Sequence, residues 1–245
     1  GAPARYGGRI SSFMDIDLKE GNLKEVEGHG SVGLFSSKLT LQGPVVKEKA
    51  SFIIGGRTTY SDWILKRVPD LDIRKSRANF YDFNGKLNFT LNHNNRLSVF
   101  TYQSHDLFNL AERNIFEYTN RLGSLKWNHI ANENFTFSLN LFYTNYQTNT
   151  TDQENEMNAV SIASGIQQIG GNYCALIALG SKHSVEAGIE ASRYRFFPGT
   201  REPYGEESTT LPKELDREQS AEAAIYVQDV YNINSQLSLS AVLRY

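Results

Sequence analysis

The chain predicts an all-β protein, a transmembrane antiparallel meander β-barrel, on three observations. Nearly every segment carries an apolar side chain at every second position, which is the strand period of two. Short polar turns alternate with longer loops, the punctuation of an outer-membrane barrel. No apolar run reaches the ~18 residues of a helical span, whereas a barrel strand needs only ~9–11 residues with one apolar face.

The strand rhythm starts at Lys24 and predicts about ten strands, over residues 26–44, 50–64, 79–91, 96–106, 116–130, 135–148, 159–179, 184–197, 219–232 and 237–245. Ahead of them, residues 1–9 read as a Gly/Pro/Arg-rich loop, residues 10–18 as a short strand and residues 19–23 as a turn. The segment 79–91 is the clearest case. Tyr81, Phe83, Leu87, Phe89 and Leu91 share one face, and Asp82, Asn84, Lys86, Asn88 and Thr90 share the other. In 135–143, Phe135, Phe137, Leu139, Leu141 and Tyr143 oppose Thr136, Ser138, Asn140 and Phe142, with Phe142 the exception to the pattern. Periodicity does not say which face points inward. A membrane barrel turns the apolar face out to lipid and wets its interior. Segments 50–64 and 159–179 alternate poorly.

The connections 46–49, 92–95, 131–134, 180–183 and 232–236 are short, and the Asn-rich ones suit turns because Asn tolerates positive φ. Connections 65–78, 107–115, 149–158 and 198–218 are longer and polar. This alternation places all short turns at one end of the sheet, an order that Greek-key crossovers would scramble. Trp63, Phe80, Tyr81, Trp127, Tyr143, Tyr146, Tyr194, Phe196 and Phe197 fall near strand ends, where interfacial aromatics belong.

The 245 residues carry a net charge of −2, with a pI near 6.3 and a mean hydropathy of −0.45. No basic surface advertises nucleic acid. The single Cys174 permits no intrachain disulfide, and its neighbours predict an inert, wall-packed thiol. No signal peptide opens the chain, so an exported protein would begin upstream of Gly1.

Little in the sequence carries reaction chemistry. His29, His93, His105, His129 and His183 are scattered without metal-ligand spacing, and solvated side chains are expected at His93, His129 and His183. Asp152, Glu154 and Glu156 lie in one loop, but no glycine pins it as a calcium loop requires. Lys66, Arg67, Arg74, Lys75 and Arg77 form a basic loop, solvated or facing an anion such as lipopolysaccharide phosphate. Gly55-Gly56 and Gly170-Gly171 suggest bends or close approaches. No catalytic residues, no cofactor and no metal site are expected, and the ligand-binding residues are not legible.

Residues 3–16, Pro-Ala-Arg-Tyr-Gly-Gly-Arg-Ile-Ser-Ser-Phe-Met-Asp-Ile, resemble the end of the plug domain in TonB-dependent outer-membrane receptors of the Bacteroidetes type. Residues 30–44 are similar to the first barrel strand of that family and residues 49–60 to the second, and 80–88 and 125–129 match its style. The starch-utilisation branch ends its plug differently. The resemblance implies residues 1–23 as a plug tail and 24–245 as the N-terminal part of a barrel of about 22 strands. It implies a non-enzymatic receptor of the cell outer membrane that admits a nutrient with TonB-supplied energy. Its partners would be outer-membrane lipid, TonB through the rest of the plug, a small ligand and a surface lipoprotein. Two other readings stand beside it: an outer-membrane β-barrel enzyme, and a small soluble closed barrel binding an apolar ligand.

Overall fold

A computed structural model describes residues 3–8 and 13–245. Eleven strands follow one another in an antiparallel meander: β1 (Glu27–Val32), β2 (Ser36–Val46), β3 (Ala50–Thr59), β4 (Arg77–Asn92), β5 (Asn95–Leu110), β6 (Asn114–Asn132), β7 (Phe135–Asp152), β8 (Val160–Leu179), β9 (His183–Pro203), β11 (Glu218–Asn232) and β12 (Ser238–Arg244). The two-residue β10 (Lys213–Glu214) lies off this path and pairs with β9. Two one-turn helices, α1 (Asp62–Leu65) and α2 (Leu71–Arg74), fill the β3–β4 connection. Among the described residues β1 and β12 each pair with a single neighbour, which leaves the sheet's two edges unpaired there.

Most predicted strands appear, with three corrections. Residues 26–44 are not one strand but the β1–β2 hairpin, closed by Gly33 N–H donating to Ser36 O at 2.9 Å. That turn is held by distant groups: the Tyr60 hydroxyl donates to Gly33 O at 2.5 Å and the Trp63 indole to Leu34 O at 3.2 Å. The strand expected over 50–64 stops at Thr59 and gives way to α1. The short strand expected over 10–18 is absent from residues 13–18, while its residues 10–12 lie outside the described residues.

The short turns do gather at one end. The opposite end holds the long connections but also two tight ones, residues 33–35 and 111–113, so the expected loop 107–115 is largely strand. The Asn-rich turns work by a different device from the one expected. Positive φ at non-glycine residues occurs, among the described residues, at Glu48, Ala111 and Glu112 and at no Asn. Instead Asn92, Asn132 and Asn234 side chains accept the N–H two residues on, at 3.0, 2.9 and 2.9 Å, the Asx-turn.

The register sorts the side chains by face. Phe52, Leu87, Val99, Leu125, Leu141, Gly171 and Ala191 follow one another across β3–β9 on one face, joined pair by pair or along a strand at even spacing. Their neighbours Ile53, Lys86, Phe100, Ser124 and Phe142 lie on the other. The described residues of 3–23 meet the second face, through Lys86, Glu186, Gln228 and Arg244, here termed the inner face. The outer face is apolar yet bare: Leu141 is 47 % exposed, Ile189 55 % and Ile169 60 %. Among the described residues the buried apolar set is Ala4, Ala50, Ile53, Ala159, Ala175 and Tyr226, too little for a dry core. Leu87, Phe89, Phe137 and Leu139 therefore do not meet in a closed centre, and the sheet is not a small barrel with an apolar interior.

Near the short turns the outer face carries an aromatic cluster. Phe137 meets Trp127 edge-on at 5.2 Å, His129 at 5.0 Å and Tyr173 at 5.5 Å. This corrects the expectation of solvated histidines at two places. His129 is half-buried against Asn95 Oδ1 at 2.8 Å, and His183 stacks on Tyr231 at 4.5 Å while contacting Asp229 at 2.7 Å. Tyr81 and Tyr143 are exposed outer-face residues further up. Phe80, Tyr146, Tyr194 and Phe196 occupy inner-face positions instead, because their even numbers share the face of Lys86 and Phe142.

Candidate functional site

Residues 3–8 and 13–23 carry most of the chemistry on the inner face, the first stretch held at the β12 side and the second at the β1–β4 side. At the β12 side, Ala4 is 3 % exposed. Its N–H donates to Gln228 Oε1 at 2.8 Å, and its carbonyl accepts from Arg244 Nη1 at 3.1 Å. Both backbone groups of one residue are thus satisfied by the wall, which a buried backbone requires. Arg5 lies 3.8 Å from the Glu186 carboxylate of β9.

The wall beneath is built to carry that load. Gly188 of β9 leaves room for the Tyr226 ring: a Cβ there would stand 2.4 Å from the Tyr226 hydroxyl and 2.6 Å from Tyr173 O. Tyr226 in turn lies 5.7 Å beneath the Arg244 guanidinium, which also pairs with Glu190. Glycine, ring and guanidinium form a column ending on the Ala4 carbonyl. Cys174, opposite Gly188 in the register, packs half-buried against this column.

The second anchor lies at the β1–β4 side. Lys86 Nζ donates to Leu18 O at 2.5 Å. Gly21 rests on β3 so closely that a Cβ would stand 2.1 Å from Phe52 O. Ser51 and Ile53, the flanking inner-face residues, are 1 % and 2 % exposed. Glu48 N–H donates to Leu23 O at 3.1 Å, and Glu27 accepts from Asn22 at 2.8 Å and Gln42 at 2.6 Å.

Between the anchors the segment closes on itself. Tyr6 stacks on Phe13 at 5.1 Å and its hydroxyl bonds to Asp15. That bond to a carboxylate raises the Tyr6 phenol above its ordinary value, with burial adding to it. Met14 and Ile16 remain exposed.

Of the polar residues that share one face of segment 79–91, Lys86 meets the N-terminal segment. Asp82 pairs instead with Arg57 at 2.7 Å, and Asn88 accepts from Ser98 Oγ at 2.8 Å. Glu186, Gln228 and Arg244 were not singled out by the sequence as partners of this segment. Their signal there is a polar side chain at an inner-face position.

The other candidates stay apart. Lys66 and Arg67 line an open cleft of about 760 Å³ with Tyr60, Asp62 and Trp63, and Arg67 stacks over Trp63 at 5.1 Å. Arg74, Lys75 and Arg77 are exposed. Asp152 accepts Glu154 N–H at 3.0 Å, and no group of three metal-ligating side chains occurs among the described residues. Gly170 is a close approach as expected, with a Cβ there 2.5 Å from Ser192 Oγ.

No protein-family model and no curated protein matches the chain. Solved structures do. A copper transporter, OprC, superposes with a TM-score of 0.71 at 12 % identity, over 92 % of this chain and 37 % of that one. The ferripyoverdine receptor of the Pseudomonas aeruginosa outer membrane, bound to ferripyoverdine, gives 0.67 at 13 % identity, over 91 % and 37 %. The ferric enterobactin receptor PfeA of Pseudomonas aeruginosa gives 0.67 at 13 %, over 92 % and 40 %. The chain thus has the fold of a stretch of these receptors' structures and spans 37–40 % of their length.

Proposed function

We propose that the chain is the end of the plug (residues 1–23) and the N-terminal part of the barrel (residues 24–245) of a TonB-dependent receptor in the outer membrane, of the Bacteroidetes type its residues 3–16 resemble. In this reading the receptor binds a small nutrient from outside and admits it with energy delivered by TonB to the remainder of the plug. A surface lipoprotein is a further partner of the loop end. The chain is a transporter piece, not an enzyme. The likeness to metal and siderophore receptors supports the transport class.

One observation carries the proposal. The polar face of the sheet holds the N-terminal residues at two places, Ala4 at Gln228 and Arg244 and Leu18 at Lys86, while the apolar face is bare. A soluble protein rarely exposes an apolar patch beyond a few hundred Å², whereas lipid supplies the missing contact. The inner segment is where a plug must hand over to its wall. Phe13, Met14 and Ile16, exposed on that segment, are the surface the rest of the plug would cover.

The test is single-cysteine labelling of the full protein in isolated outer membranes, in a Cys174→Ser background. L87C and L141C are expected to resist a water-soluble maleimide and to react with a lipid-soluble one. K86C and N140C should show the reverse. Water-soluble labelling of the first pair with protection of the second would overturn the orientation and the receptor reading together.

A further inference from the structure

We propose that the outer face of β6–β9 binds lipopolysaccharide, with its phosphates at Arg193, Arg195 and Arg121; this rests on the membrane reading above. The apolar outer band ends in a row of polar side chains, in register across the sheet: Gln103, Arg121, Asn145, Gln167, Arg195 and Gln219. No carboxylate stands in it. Arg193 lies two residues below Arg195 on the same face. All three guanidiniums are exposed. Arg193 donates to Gln219 at 2.5 Å, while Arg121 and Arg195 make no ion pair or side-chain hydrogen bond among the described residues.

Three tiers stack along β9 at this place. Below Arg193 the wall is recessed into an open groove of about 420 Å³, lined on the outer face by Ile169, Ala191, Ala221 and Ala223. Short side chains flanked by Ile189 and Ile225 leave width for a hydrocarbon chain. Above Arg195 lies a cavity of about 490 Å³ lined by Thr119, Gln147, Asn149, Phe197 and Thr200, hydrogen-bonding groups and one ring, as a sugar needs. Arg217 stacks over Phe197 at 5.0 Å at its rim. Glu117 and Glu214 also line that cavity and repel phosphate from it, which fixes the anionic level at the arginines below.

The order apolar, cationic, hydroxyl-binding is the order of acyl chain, phosphate and sugar in a phosphorylated glycolipid. Guanidinium groups suit phosphate by their planar fork of donors. Arg121 and Arg195 stand three strand spacings apart, about 14 Å, so two separate phosphates fit better than one. The long connections gather at this end of the sheet, which makes it the external leaflet, where lipopolysaccharide resides.

The experiment purifies the full protein from outer membranes in mild detergent and measures bound lipid by native mass spectrometry. The triple variant R121Q/R193Q/R195Q is expected to lose roughly tenfold of its bound lipopolysaccharide, since hydrogen bonds to charged groups are the strong ones. The matched variant K66Q/R74Q/K75Q should retain it. Equal lipopolysaccharide on wild type and triple variant, loss in the matched variant instead, or phospholipid as the bound species would each overturn the proposal. Retention in the membrane fraction after a urea wash is scored in parallel. A protein that washes out overturns the membrane reading, and this site with it; one that stays in but binds no lipopolysaccharide overturns the site alone.

Discussion

The two halves of β7 show one strand in two solvents. From Phe135 to Tyr143 its outer side chains are Phe, Phe, Leu, Leu and Tyr, against Thr136, Ser138, Asn140 and one apolar residue, Phe142, within. From Asn145 to Thr151 the outer side chains are Asn, Gln, Asn and Thr, and the inner ones Tyr146, Thr148 and Thr150 are hardly less polar. The backbone ladder to β8 runs through this boundary without a break. Side chains alone mark where the apolar band ends. The register breaks that do occur lie outside it, at 44/46, 90/92 and 130/132 below and at 163/165 above. Where lipid would face the strand every backbone group must be paired. Above that level water is a partner, and β9 can exchange β11 for β10.

The largest expected effect breaks this contrast directly. Leu141→Arg puts a guanidinium mid-band and is expected to cost about 2–4 kcal/mol in urea titrations of the folded barrel in vesicles. Gln147→Arg, three outward positions higher on the same strand, is expected within about 0.5 kcal/mol of wild type. Equal costs would mean that the two halves share one solvent.

A second comparison sets two glycines of the lower half against each other. Gly188→Ala drives a Cβ into the Tyr226 ring and Tyr173 O and is expected to cost about 1–3 kcal/mol. Gly123→Ala meets nothing within 4 Å and should be neutral or mildly stabilising, by under ~1 kcal/mol, as the unfolded chain loses freedom. Both values come from the same urea titration.

The inner anchor is tested by Arg244→Met, which keeps apolar length but removes the donor to Ala4 O and the partner of Glu190. An expected loss of about 1–3 kcal/mol should fall on the N-terminal segment. Amide exchange would then quicken at residues 4–6, while residues 18–23, held by Lys86, stay protected. Uniform quickening would show that the segment moves as one piece.

The sequence was most legible where the solvent contrast is strongest. The lower ends of the strands fall within one or two residues of expectation, because short polar turns bound them there. The shortfalls concentrate at the upper ends. The strand expected over 96–106 runs to Leu110, 135–148 to Asp152 and 184–197 to Pro203. Residues 149–152 and 198–203 are polar or Gly/Pro on both faces and residues 107–110 put Leu and Phe on both, so none carries a period and strand and loop look alike. β1 and β2 merged for another reason: Leu34 and Phe35 give no turn signal, and the turn is fixed by Tyr60 and Trp63 from beyond β3. The candidate site was legible in place but not in partners. Residues 3–16 stood out, yet Gln228 and Arg244 are 224 and 240 positions from Ala4, and no local pattern joins them.

The β5–β6 turn, in the upper half, has a small expected effect, opposite in sign to that of Leu141→Arg. Ala111 and Glu112 hold φ of 52° and 59°, a left-handed pair of the type that hairpins normally give to Asn or Gly. Neither residue type favours that region, and no glycine relieves it. The turn forms because β5 and β6 pair all the way from Asn95–His129 to Leu110–Asn114 and leave three residues to cross. Arg113 N–H donates to Leu110 O at 2.9 Å to close it. Strain that a long ladder imposes is relieved by changing the residue, not the ladder. Glu112→Gly is therefore expected to stabilise by a few tenths to about 1 kcal/mol, the left-handed penalty of 1–2 kcal/mol less the extra backbone freedom of glycine when unfolded. The turn is exposed and outside the apolar band, so that gain should appear unchanged in detergent and in vesicles. A gain that depends on the lipid would place residues 111–113 inside the membrane and move the boundary between the two halves upward.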